Sequence, residues 1–407
     1  MKTSKNLFAS LHCICTLLII GILFANFSYA FSQSKAKSVL SDDFLSINNL
    51  IKLTAIGNGY SDQAIIVFVP DATAGFDPEY DAYKLMGIYE APQLYSFIPC
   101  CILTVNALPE ITTNLKVQLG FQVGIETSYT LSATELYSFD PGVTIHLLDS
   151  KDNVLTDFMV DSTYTFTASP DDCYERFSLF FNLTSNFLDL NVFLEGPFNS
   201  AGMNTELTSK NLIPLNQPYN VAPWNYAGAE SVTSMPDNVV DWILLEFRDA
   251  VDAATATSAT TFGWQAALLF SNGKVKGLDG CNTIDFSGSI TNNLFVVVHH
   301  RNHLAVMSAN ALVKAGGVYS YDFSSGVSQA YNGSLAHKDL GAGVYGMLGG
   351  DANSDGVIND SDATAVWYSE AGENGYLASD VTLDGESNNV DKDDVWYVNV
   401  NSYSQVP

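Results

Sequence analysis

The sequence predicts a mainly β protein, with two β-sandwich-like domains followed by a small α-helical calcium-binding module. Three observations predict it. Short segments rich in Val, Ile, Thr, Tyr and Phe alternate with turn residues, and no long stretch before the C-terminal tail keeps a helical period. Apolar residues make up 47% of the 407, enough for two sizeable cores and too many for a disordered chain. Near the C-terminus an acid- and amide-rich loop occurs twice, 29 residues apart, and each copy runs into a tryptophan, Trp367 and Trp396.

Residues 1–30 read as a cleavable secretory signal. A basic start (Lys2, Lys5) precedes an apolar run from Leu7 to Phe27 and a small-x-small ending, Ser28-Tyr29-Ala30. An uncleaved anchor is the alternative, since the run is about long enough to span a bilayer. No Cys follows the run, which argues against a lipid anchor, and the mature chain is expected to begin near Phe31 with no further transmembrane span. Export, to the medium or the outer cell surface, is the expectation. With 17 basic against 44 acidic residues the net charge is −27, which would repel phosphate backbones and excludes nucleic acid as a partner.

The first domain is expected over residues 31–185. Segments 51–56, 63–69, 115–123, 163–168 and 175–181 read as strands, and Asp152-Asn153 marks a hairpin turn. Such spacing suits a sandwich or jelly roll. Cys100 and Cys101 would point to opposite faces of any strand, so at most one enters an ordinary bridge. In an oxidising compartment either one pairs with Cys173; otherwise the thiols of Cys100, Cys101, Cys173 and Cys281 stay free. Asp77, Glu79 and Asp81 alternate beside Tyr80 and Tyr83, as calcium or sugar ligands or, more commonly, as solvated turn carboxylates.

The second domain is expected over 186–348. Residues 239–248 form a long strand, 267–276 a hairpin on Asn272-Gly273, and 293–300, 303–307 and 316–323 further strands. His299, His300 and His303 form the one histidine cluster. If Arg301-Asn302 is a hairpin turn, His300 and His303 become neighbours, two zinc ligands without an evident third. All five tryptophans lie after Val221. Trp224, in a Pro- and Asn-rich loop, is placed to stack on a sugar ring, whereas Trp242 and Trp264 lie in the strand-rich region and Trp242 reads as core.

The tail, 349–407, carries the chemistry. Counting from Asp351, oxygen-bearing side chains fall at positions 1, 3, 5, 9 and 12 (Asp351, Asn353, Asp355, Asn359, Asp362), with Gly356 at the sharp turn and Val357 offering a carbonyl. The second copy supplies Asp380, Thr382, Asp384, Glu386 (carbonyl), Asn388 and Asp391 around Gly385. Alternating carboxylates and amides about a glycine suit calcium, a hard ion that takes roughly 6–8 oxygens. The second site is expected to be weaker because Thr382 brings no charge. From Asp351 onward there are twelve carboxylates and one base, Lys392, so without cations the segment would repel itself.

This pair of loops resembles a dockerin type I module, which implies two calcium ions, a short helix after each loop and a protein partner. The family commonly carries Ser-Thr-like partner contacts at positions 10 and 11; here these are Asp360, Ser361, Asn389 and Val390. Thr382 stands where the family has Asx, and Ser387 where it has an aliphatic residue. Residues 75–85 and 164–170 resemble a β-sandwich module that recurs near the C-termini of large secreted bacterial surface proteins. Residues 194–198 and 218–226, with the strands around them, resemble a module of bacterial surface proteins labelled haemagglutinin-like, which there too precedes a dockerin-like tail. These resemblances imply use at the cell surface.

Enzyme signatures are missing: there is no G-x-S-x-G elbow, no H-E-x-x-H and no phosphate loop. A non-catalytic secreted or surface protein of adhesion or assembly type is therefore the leading expectation. The alternative is a component of an extracellular polysaccharide-degrading system, either a carbohydrate-binding accessory or a glycoside hydrolase whose carboxylate pair is defined only in space.

Overall fold

The computed structural model describes residues 49–407. The expected signal segment, residues 1–30, lies outside the described residues. The chain is mainly β and divides into two compact units: one reaches Leu148 and resumes over Thr156–Leu183, and the other comprises Asp149–Leu155 and Thr184–Pro407.

Eleven strands form the sheet centred on the first unit: β1 (Leu50–Gly57), β2 (Tyr60–Phe68), β3 (Ala82–Tyr83), β4 (Gln93–Ile98), β5 (Cys101–Leu108), β6 (Leu115–Gln122), β7 (Thr127–Thr134), β8 (Ile145–Asp149), β9 (Val154–Asp157), β10 (Thr163–Ala168) and β11 (Phe177–Phe181). Their order is β10-β7-β1-β2-β5-β4-β6-β11-β8-β9, with β3 paired to β5. Alternation sets the faces: in β7, Tyr129, Leu131 and Ala133 are buried while Thr130 and Ser132 lie on the other face. Although β6 and β7 stand far apart in the sheet order, Phe121 of β6 meets Tyr129 of β7 at 5.5 Å and Phe166 of β10 at 5.1 Å between ring centroids. The sheet therefore curls round one aromatic core.

The second unit is built on a nine-stranded sheet. Its strands are β12 (Asn186–Asn191), β15 (Val239–Ala250), β16 (Thr261–Phe270), β17 (Lys274–Lys276), β18 (Ile284–Phe286), β19 (Asn293–His299), β20 (Val306–Met307), β21 (Val313–Ala315) and β22 (Val318–Asp322), in the order β20-β19-β15-β16-β17-β12-β22-β21, with β18 on β12. Two small hairpins complete it, β13 (Phe198–Asn199) with β14 (Gly202–Met203) and β23 (His337–Gly341) with β24 (Val344–Met347). β15 is the spine: eleven of its twelve residues are buried, as expected of a strand paired on both edges and covered on both faces. The β16–β17 turn is the Asn272-Gly273 hairpin, with Gly273 at φ 83°.

Residues 349–407 belong to this second unit rather than forming a compact unit of their own. Leu383, fully buried, joins the core that holds Trp242, Leu244 and Met347, and Ile358 packs with Leu304, Leu348 and Trp396. Helical turns run through Asp360–Asp362, Ala363–Trp367 and Tyr368–Glu370, and again through Asp391–Trp396 and Tyr397–Asn399. Asn359 caps the first, its side chain accepting from the Ser361 amide while Asp362 reaches back to the Asn359 amide. No helix among the described residues is long and apolar enough to cross a membrane.

The cysteines depart from expectation. Cys100 and Cys101 are free, so neither pairs with Cys173, whereas Cys173 and Cys281 each take part in a disulfide. Cys100 lies in the β4–β5 turn, outside the strand alternation on which the expectation rested.

Candidate functional site

The two acidic loops share one hydrogen-bond scheme. In the first, Asp351 accepts the amides of Asp355 (3.0 Å) and Gly356 (3.0 Å), and Asp362 accepts those of Asn353 (3.1 Å) and Asn359 (2.8 Å). In the second, Asp380 accepts Asp384 (3.1 Å) and Gly385 (2.9 Å), and Asp391 accepts Thr382 (2.9 Å) and Asn388 (2.9 Å). Asp355 and Asp384 each take the amide of the residue two places on, Val357 and Glu386. Gly356 and Gly385 stand at φ 84° and 88°, conformations an L side chain adopts only with strain. The backbone is thus wound into two matching turns with carboxylates at both ends.

Four of these carboxylates are buried: Asp351, Asp362, Asp380 and Asp391. Burial, with Asp362 beside it, pushes Asp351 up to about 7. Burial also pushes Asp380 up to about 7, against the pull of Arg301 and with the help of Asp391. Burial raises Asp362 and Asp391 as well. Paired buried carboxylates of this kind ionise readily only beside a cation. The donor set, carboxylates with an amide or hydroxyl and a carbonyl, is all oxygen and fits a hard divalent ion. Among the described residues no group of three His, Cys, Asp or Glu side chains is drawn close enough together to hold a metal ion.

Between the loops sits the turn that joins β19 to β20. His300 and His303 do become neighbours, with Nδ1 atoms 3.1 Å apart. Both are buried, and burial lowers both, His303 strongly. Asp241 of β15 meets His300 Nε2 at 3.3 Å, accepts from Arg301 Nε at 2.8 Å and takes the Tyr376 hydroxyl at 2.6 Å. Burial would raise Asp241, but Arg301, His300 and Tyr376 outweigh it and hold the carboxyl at about 2. Arg301 also donates to the Leu377 carbonyl and lies over the Tyr376 ring at 4.1 Å. Asn302 donates to the carbonyls of Ala378 (3.0 Å) and Asp380 (2.8 Å), and its own carbonyl accepts from Gly350. The histidine cluster is therefore part of a buried polar network that seats both loops. Arg301 and Asn302 give no signal in the sequence beyond their place in a turn.

Trp224 and Trp264 open onto a cleft of about 350 Å³ beside the first loop, with His299, Ser354, Asp355 and Ser404 on its walls. Trp264, 39% exposed, presents more surface than Trp224, which is half-buried and meets Tyr219 edge-on. The Trp264 and His299 rings lie 5.2 Å apart. Behind them Glu246, buried, receives His299 Nε2 (3.0 Å), Arg248 Nε (2.7 Å) and the Thr261 hydroxyl. Burial would raise Glu246, but these three bonds hold it at about 2. The contact with Glu246 fixes the orientation of the His299 ring at the cleft wall.

The other candidates resolve differently. Trp242 is fully buried and donates Nε1 to the Pro214 carbonyl. Trp367 and Trp396 line a small apolar gap with Ala363 and Val381, between the two loops. Asp81 is a buried turn lock that accepts the amides of Asp77 and Ala107, both at 2.7 Å, and Asp77 accepts from Thr73.

Residues 48–181 match a family model described as "Domain of unknown function (DUF8693)". No curated protein and no solved structure matches the chain.

Proposed function

We propose that the protein is a non-catalytic extracellular protein of adhesion or assembly type, whose C-terminal loops take one calcium ion each. The observation that carries this reading is the repeat itself: two loops 29 residues apart with the same amide–carboxylate bonds and paired buried carboxylates. Asp351, Asn353, Asp355, Val357 (carbonyl), Asn359 and Asp362 hold the first ion. Asp380, Thr382, Asp384, Glu386 (carbonyl), Asn388 and Asp391 hold the second, weaker one. Each ion supplies positive charge to a pair of carboxylates that otherwise repel. Since Leu383 and Ile358 pack into the cores of the second unit, calcium orders a segment built into that unit, and the outward side chains of the dockerin-like pair of helices remain for a protein partner.

The test is a pull-down with mature protein (residues 31–407) from envelope and medium, in calcium and in chelator, beside a calorimetric calcium titration. Two binding events together with one defined protein recovered only in calcium support docking. Two events with no captured protein make the ions structural. No binding event overturns the reading.

The cleft favours a second reading, a carbohydrate-binding accessory of an extracellular polysaccharide-degrading system. An exposed indole, an oriented imidazole and hydroxyls around about 350 Å³ suit one neutral sugar residue stacked on Trp264. Retardation of the protein in gels containing soluble polysaccharide, reduced at least tenfold by Trp264→Ala, would support it. Release of sugar would make the protein a hydrolase, and unaltered mobility in every gel would overturn the second reading.

A further inference from the structure

Cys100 and Cys101 lie at the tip of the β4–β5 hairpin, where Ile98 pairs with Cys101 and Pro99-Cys100 make the two-residue turn. Because Cys100 sits in the turn, its side chain leaves the strand alternation, and the two Sγ atoms lie 2.8 Å apart. That separation is inside ordinary non-bonded contact, about 3.5–4.0 Å even between smaller carbon atoms. It is outside the S–S bond of about 2.03–2.05 Å. Cys100 is exposed and Cys101 half-buried, so the pair is open to a soluble reagent. The same chain carries disulfide-bonded Cys173 and Cys281.

We propose that Cys100 and Cys101 are a redox-active vicinal pair that closes to a disulfide across a single peptide bond. The oxidant is an external disulfide, of a small thiol or of a thiol–disulfide exchange protein. The Cys100 thiolate attacks it, forming a mixed disulfide and releasing one external thiol. Cys101 then loses its proton and attacks Cys100 Sγ, forming the protein disulfide and releasing the second external thiol. Two protein S–H bonds are lost, one S–S bond forms, and the external disulfide is reduced to two thiols. Cys100 acts first because it is the exposed sulfur, whereas burial and the Cys100 thiol beside it push Cys101 up to about 11.

The closed ring is strained. Consecutive Cα atoms are about 3.8 Å apart across a trans peptide, below the roughly 4.4–6.8 Å of ordinary disulfides. A strained, exposed bond has the more oxidising potential and belongs to the labile, regulatory class. Tyr83 of β3 lies beside the pair, hydrogen-bonded to Cys101, and stacks on Phe76 at 4.3 Å.

The experiment uses full-length protein exported to an oxidising compartment and purified without reductant. It is equilibrated in reduced and oxidised glutathione mixtures, acid-quenched, alkylated and mapped by mass. The expected result is an unalkylated Cys100–Cys101 peptide two hydrogens lighter than its dithiol form. This pair should reduce at a [GSH]²/[GSSG] at least about tenfold lower than the bonds of Cys173 and Cys281. Cys101→Ser removes the resolving thiol and should hold Cys100 as a single stable glutathione adduct. Wild-type protein that keeps two alkylatable thiols in excess oxidised glutathione, or accumulates glutathione adducts, overturns the proposal. So does joining of two chains through these residues.

Discussion

Val357 and Tyr403 form an antiparallel bridge that ties the seventh position of the first loop to the segment following the second helical stretch. The 29-residue repeat maps this pair onto Glu386 and Asn374, which bridge in the same way. Each loop is therefore stapled by the segment after the other loop's helix: Ser404 donates to Gly356 and Ile358 to Ser402 on one side, Gly375 to Gly385 and Ser387 to Glu373 on the other. The exchange closes the two repeats into a ring, so neither loop is complete without the other half.

That exchange predicts an unequal effect of trimming the end. Removing residues 401–407 deletes the staple of the first loop and leaves that of the second, residues 372–375. Calcium affinity at the first site should fall at least about tenfold, or roughly 1.4 kcal/mol, because three backbone hydrogen bonds to the loop go: Ser404 to Gly356, Ile358 to Ser402 and Asn401 to Ile358. The second site should keep most of its affinity. Calorimetric titration of the truncated chain resolves the two, and equal weakening of both would contradict the exchange.

Calcium should stabilise the whole second unit rather than a detachable tail, because Leu383 and Ile358 sit in its cores. At calcium 1,000-fold above Kd each site adds about 4 kcal/mol by mass action. Chelation should therefore lower the melting transition of this unit. Asp362→Ala should abolish the first binding event and reproduce roughly half of that loss. An unchanged isotherm for this variant would remove Asp362 from the site.

Much of this was legible in the sequence, and the reasons differ by element. The alternation of β7 and the Asn272-Gly273 hairpin follow from local rules, and so does the spacing of the two loops, whose end carboxylates bond amides of their own loop. The exchange of 372–375 and 401–404 is a tertiary pairing of residues with no special type, so no local pattern marks it. The role of Arg301 and Asn302 depends on carbonyls 76 to 78 residues away. Trp224 gave the sign of a platform from its loop, yet Trp264 is the more exposed ring because Tyr219 takes one edge of Trp224. Opposite faces for Cys100 and Cys101 hold only if both lie in one strand; the turn includes Cys100 and places its sulfur beside that of Cys101.

The Asp241–Arg301 pair predicts a non-additive result. Arg301→Met leaves Asp241 buried beside neutral partners and should cost about 3–5 kcal/mol, as for other broken buried pairs. Asp241→Leu with Arg301→Met removes both charges and should cost less than Arg301→Met alone. Because Arg301 also holds the Leu377 carbonyl ahead of the second loop, either variant should weaken the second calcium site more than the first. Urea unfolding and calcium titration of the two variants check both points.

His337 predicts an acid-side loss of stability in the second unit. Burial, only partly offset by the Gly326 backbone, pulls the imidazole from 6.5 down to about 4. Between those values the unfolded chain binds a proton that the folded chain refuses, so stability falls as pH drops from about 6.5 and levels near pH 4. The full shift corresponds to about 3 kcal/mol. His337→Phe keeps a ring against Phe323, its neighbour at 6.2 Å, and removes the titration. The difference in urea stability between wild type and this variant should grow by about that amount between pH 7 and pH 4, with calcium held constant. A pH-independent difference would mean that the folded imidazole takes up its proton at the same pH as the unfolded one, and would contradict the burial effect.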